Sequence, residues 1–159
     1  MSVAFTKEGD AEATAADLPD RPISPHPNLV TPQGMAAIEA ALADARAAYA
    51  AAQHAGGIEA DRTAMARATR DLRYYAARRA NAQLIETSDE TDTVRFGGDV
   101  TIDREDGRRQ TFRIVGEDEA DPAHGSVSHV SPLARALMGK HVGDTAMLAG
   151  AEVEIVAVG

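Results

Sequence analysis

The stretch Thr31–Gly57, TPQGMAAIEAALADARAAYAAAQHAGG, decides how this chain is built. Thr31 can cap a helix, and Pro32 suits its first position, where no backbone N–H is needed. Met35, Ile38, Leu42, Ala45, Tyr49 and Ala52 then recur at alternating steps of three and four. That is the spacing of a coiled-coil seam, and the paired Gly56 and Gly57 end the helix and allow a reversal. A second run puts Met65, Ala68, Leu72, Tyr75 and Ala82 on a matching stripe. The spacing predicts an antiparallel helical hairpin over residues 31–86, with its tip near 56–61. Its second arm carries Arg62, Arg67, Arg70, Arg73, Arg78 and Arg79, whereas the first has Arg46 to set against Glu39 and Asp44. One flank is therefore basic, read either as a solvated face with cross-arm ion pairs or as a surface for an acidic partner or nucleic acid.

From Val94 onward the period becomes two. Val94–Phe96, Val100–Ile102, Thr111–Val115 and Glu152–Val158 read as strands, separated by turn chemistry at Glu105-Asp106-Gly107, Asp121-Pro122, His124-Gly125 and Gly143-Asp144. Ser131-Pro132-Leu133-Ala134-Arg135-Ala136-Leu137-Met138-Gly139 has a cap, a first-turn proline and a closing glycine, which predicts one short helix. Residues 87–93 link the halves. Residues 1–30 hold scattered acids and Pro19, Pro22, Pro25 and Pro27 without apolar periodicity, so they are expected to be a tail, mobile to about Ile23 and extended near the prolines. The fold class is α+β: an N-terminal helical hairpin followed by a small β-sheet domain with one short helix.

Composition narrows the functions. The chain has 159 residues, a formal charge of −9 and no cysteine, which excludes disulfides and thiolate-bound zinc and fits a cytoplasmic location. No run approaches the roughly 20 apolar residues of a spanning helix, and Met1 to Asp20 lacks the pattern of a signal peptide, so no membrane is expected. A net negative protein is a poor direct ligand for a phosphate backbone, so nucleic acid should be reached only through a partner. His26, His54, His124, His129 and His141 show no metal-ligand spacing, no phosphate-binding glycine loop precedes Lys140, and no nucleophile triad can be assembled. The chain is expected to have no metal or cofactor of its own and not to be an enzyme.

The residues of Val94–Gly159 resemble the C-terminal, FKBP-like domain of the GreA/GreB transcript-cleavage factors. The likeness runs through Phe96-Gly97, Thr111-Phe112-Arg113-Ile114-Val115-Gly116 with Asp118-Glu119-Ala120-Asp121, Ser131 to Leu137 with Gly139-Lys140, and Val142-Gly143-Asp144. Thr31-Pro32-Gln33-Gly34-Met35 is similar to the family's usual helix start. The resemblance implies a partner, bacterial RNA polymerase, with the globular domain docked beside the secondary channel and the hairpin entering it. It places the docking edge at Ser131, Pro132, Leu133 and Arg135. It also implies an acidic tip that acts on polymerase-bound Mg²⁺ to hydrolyse backtracked RNA, since hard cations take carboxylate oxygens and activate an attacking water.

At the tip the chain departs from the family. There the family reads roughly Gly-Asp-Leu-x-Glu-Asn-Ala, against Gly57-Ile58-Glu59-Ala60-Asp61-Arg62-Thr63-Ala64. Aligning on Gly57 places Ile58 at the family's Asp and Asp61 at its Glu; sliding by one places Glu59 at the Asp and Arg62 at the Glu. Neither register restores both carboxylates, although Glu59 and Asp61 remain the candidate tip acids. Acids near a helix start also simply favour its dipole. Each arm is about one heptad shorter than in typical Gre factors, which removes roughly 10 Å of reach. Three readings follow: a factor that stimulates transcript cleavage, a non-cleaving secondary-channel regulator similar to Rnk-type or inhibitory Gre relatives, and an FKBP-like prolyl isomerase or chaperone. The last needs an aromatic-lined pocket, for which the domain offers Phe96 and Phe112.

Overall fold

A computed structural model describes residues 18–55 and 60–159, the side chains of residues 60 and 61 excepted. The chain divides into two units, Met1–Pro25 with Ala37–Asn81, and His26–Ala36 with Ala82–Gly159.

The helical unit is built on α1 (Pro32–His54, its first residues belonging to the other unit) and α2 (Ala60–Asn81). Ile38, Leu42, Ala45 and Ala52 on α1 and Ala68 on α2 are buried, as the three-four stripe requires. The helices lie antiparallel: Glu39 pairs with Arg79 at 3.0 Å, and Ala41 and Ala48 face Tyr75 and Ala64 across a shared groove. Alanine on both walls leaves that groove, about 380 Å³, open. Arg78, expected on the solvated basic flank, is instead 1% exposed. The expected tip residues 56–59 and the tail residues 1–17 lie outside the described residues.

In the second unit, β1 (Asn28–Val30) pairs in parallel with β2 (Ala82–Leu84), and Ile85 N–H extends the ladder to Val30 O at 2.9 Å. These two segments correct the sequence boundaries. Residues 28–30 are not tail, and Ala82–Leu84 leave the helical stripe. Three-residue strands carry too little alternation to read, and their partners are far away along the chain.

The main sheet has the order β5-β4-β3-β7-β6, from β3 (Asp99–Arg104), β4 (Arg109–Val115), β5 (Ser126–Ser128), β6 (Thr145–Leu148) and β7 (Ala151–Val158). All neighbours are antiparallel except β4 and β5. Alternation sends Val100, Ile102, Ile114, Val153 and Ile155 inward, where Ala134 and Leu137 of α3 (Pro132–Leu137) close over them. Burial of such side chains contributes about 1.5–3 kcal/mol each.

Val94–Phe96, expected as a strand, is a non-strand segment. The N–H and C=O of Val94 are taken by Lys140 O and Gly139 N–H at 2.8 Å each, a loop rather than a ladder, although Val94 and Phe96 are buried. β5 and β6 went unread in the sequence.

Candidate docking surface

Ser131 sits in extended conformation, and its Oγ accepts the Ala134 N–H at 3.2 Å, capping α3 as its sequence predicts. Ser131 N–H is itself tied to Ser128 O at 2.9 Å. Pro132 follows at the first helical position. The helix stops after six residues: Met138 N–H still reaches Ala134 O, but the next amide, that of left-handed Gly139, turns to Val94 O.

The four residues expected at the docking edge therefore separate by role. Pro132 and Arg135 are exposed, Ser131 is half-buried and spends its hydroxyl on the cap, and Leu133 is half-buried against the core. Next to them lies a feature the sequence did not single out. A groove of about 540 Å³ is lined by Ala136, Lys140, Thr145, Ala146, Met147 and Glu152. Met147 is 64% exposed, and Met138 and Val142 are also exposed apolar side chains of this unit. Met147 occupies an outward position of β6, whose alternation was not recognised, so no signal marked it. A flexible thioether beside a lysine suits an adaptable protein contact.

Among the described residues no three His, Asp or Glu side chains gather as a metal site. Phe96 packs in the core, edge-on to His129 with ring centroids 5.6 Å apart, and Phe112 packs partly against the same core. Neither lines the two grooves described above. Glu59 lies outside the described residues; Asp61 falls in the first turn of α2, with its side chain outside them. No helix among the described residues is long and apolar enough to cross a membrane.

The fold defines a mixed α+β protein in which a helical region precedes a sheet domain bearing a short helix, one side of which is buried. Residues 88–159 match the family model described as "Transcription elongation factor, GreA/GreB, C-term". Over this segment the chain is similar to the C-terminal domain of GreA/GreB factors. Transcription elongation factor GreA of Hyphomonas neptunium is 58% identical over 59 residues, covering 35% of this chain and 36% of that protein. Transcription elongation factor GreB of Neisseria meningitidis serogroup B is 40% identical over 95 residues, covering 56% of this chain and 58% of that protein. These alignments span less than two thirds of the length of those relatives. The solved structure of GreA factor homolog 1 (Gfh1) from Thermus thermophilus aligns with a TM-score of 0.40 at 19% identity, over 84% of this chain and 99% of that one.

Proposed function

We propose that this protein is a transcription elongation regulator that binds bacterial RNA polymerase through the secondary channel. The sheet domain docks at the channel mouth through Pro132 and Arg135, with Ser131 and Leu133 holding α3 in place, and the hairpin enters. The protein is not an enzyme: it carries no cofactor, modulates the polymerase's own Mg²⁺-dependent site, meets nucleic acid only through the polymerase, and works in the cytoplasm. The observation that carries this reading is the family match over residues 88–159, which includes the whole main sheet and α3.

The tip favours one form of that activity. Its acids are re-spaced, and α1 and α2 have 23 and 22 residues, about 35 Å of helix each. Metal ligation tolerates errors of only a few tenths of an ångström. A non-cleaving regulator that occupies the channel fits these features better than a factor whose Glu59 and Asp61 complete a Mg²⁺ site. The test is RNA cleavage by a stalled, backtracked polymerase with and without the protein. The expected result is no stimulation, together with competition against an authentic Gre factor. Strong cleavage lost in Glu59→Ala or Asp61→Ala would restore the cleavage-factor form, and failure to bind cognate polymerase at all would remove the whole proposal.

A further inference from the structure

Residues just ahead of the hairpin make side-chain contacts along α2. Asp20 pairs with Arg73 at 3.2 Å, an exposed contact of little weight. Arg21 is more fully received. Its guanidinium carbon lies 3.8 Å from the ring centroid of Tyr74 and 5.2 Å from that of Tyr75. One guanidinium nitrogen donates to Asp71 Oδ1 at 3.5 Å. The two rings stand edge to face, 5.1 Å apart at 82°, so together with Asp71 they offer aromatic and anionic walls to one planar cation.

Three features make this a site rather than a chance contact. Tyr74 and Tyr75 are already placed by α2, so the cleft is held by a helix and not by the segment that fills it. Asp71 and Tyr75 also line the groove between α1 and α2, so the cleft opens onto unfilled space beside Ala45 and Ala48. The occupant is Pro19-Asp20-Arg21-Pro22, whose prolines pre-extend the chain and supply no backbone N–H for a ladder. Side chains must hold it, and the Arg21 and Asp71 side chains are still 36% and 37% exposed.

We propose that Tyr74, Tyr75 and Asp71 form an arginine-recognition site on α2 and that Arg21 occupies it in cis, making residues 18–25 a releasable strap. When Arg21 leaves, the site takes an arginine from another extended, proline-flanked peptide.

Full-length wild type, Arg21→Ala, Arg21→Lys and Tyr74→Leu test this by amide exchange at residues 18–24 and by NMR of the tyrosine rings. Arg21→Ala should raise exchange in the strap by about fivefold or more while leaving exchange in both helices unchanged, and Arg21→Lys should fall between it and wild type. The Tyr74 and Tyr75 ring signals should move in Arg21→Ala, with Tyr49 on α1 as the unmoved reference. Adding the peptide of sequence LPDRPISP to Arg21→Ala should return those signals toward wild type, and the same peptide with alanine for arginine should not. Unchanged strap exchange in both Arg21→Ala and Tyr74→Leu would overturn the proposal. So would equal rescue by the alanine peptide, or wild-type strap exchange that varies with protein concentration, because a second copy would then supply the arginine.

Discussion

The hydroxyl of Thr31 donates to the carboxylate of Glu119, lying 2.6 and 2.9 Å from its two oxygens, while its own oxygen accepts the Gly34 N–H at 3.0 Å. One buried side chain thus caps the first turn of α1 and ties it to the loop after β4. Removing it breaks both a cap and a charge-assisted hydrogen bond. Thr31→Ala should lower stability by about 2 kcal/mol in urea unfolding, whereas Thr31→Ser should keep most of it. Equal losses in the two variants would show that the methyl group, not the hydroxyl, matters.

A few residues earlier in that loop, Gly116 admits the backbone of β1. A Cβ there would stand 2.4 Å from Leu29 O, and the obstacle is main chain that cannot swing aside. Gly116→Ala should therefore destabilise the sheet unit by roughly 1–3 kcal/mol. Gly107 is the comparison: its φ is +85° with nothing within 4 Å, so Gly107→Ala meets backbone strain alone, about 1 kcal/mol. The thermal midpoint should fall further for Gly116→Ala.

Ala149 turns the hairpin between β6 and β7 with φ +52°, followed by Gly150 at +82°. Both central residues are left-handed, as a type I′ turn requires, and alanine is a poor occupant of the first position. Ala149→Asn or Ala149→Gly should raise stability by about 0.5–1 kcal/mol in denaturant unfolding. A loss in both would mean that the Ala149 methyl makes a contact worth more than the strain.

For docking, Pro132 and Arg135 are the exposed members of the α3 edge, and Met147 stands on the adjoining groove. Arg135→Glu and Met147→Glu should weaken binding to cognate polymerase at least tenfold, about 1.4 kcal/mol, with unchanged unfolding curves. Pull-down and a melting curve on the same samples check this. Retained affinity in the double variant would remove this face from consideration.

Asp103 on β3 meets Arg109 on β4 through bonds of 2.7 and 2.9 Å, and that hydrogen bond holds its carboxyl below the ordinary value. Asp106 is likewise lowered, first by the backbone N–H of Arg108 and then by its side chain. A lowered folded-state pKa stabilises at pH above the unfolded value, near 3.9, and that contribution is lost as pH falls through the folded value. The stability gap between wild type and Asp103→Asn should therefore be constant from pH 7 to about 5 and shrink below about 4. A gap that widens on acidification would reverse the assigned sign.

The local patterns in this chain were legible because they depend on near neighbours. The three-four stripe from Met35 to Ala52, the glycine at the β3–β4 turn and the Ser131-Pro132 helix start each encode their conformation within a few residues, and each is found where it was read. So was the alternation of Val100, Ile102, Val153 and Ile155, which one buried face imposes. What tertiary structure decided is everything that needs a distant partner. β1 and β2 are strands only because each supplies the other's hydrogen bonds, and Val94 leaves the sheet because Gly139 and Lys140 claim its backbone. Arg21 is received by α2 because tyrosines more than fifty positions later present their rings to it. Of the expected docking edge, the resemblance named Ser131, Pro132, Leu133 and Arg135 but could not say which were spent inward. A helix of six residues sends Leu133 toward the core and Arg135 to solvent only once the sheet beneath fixes which face is covered.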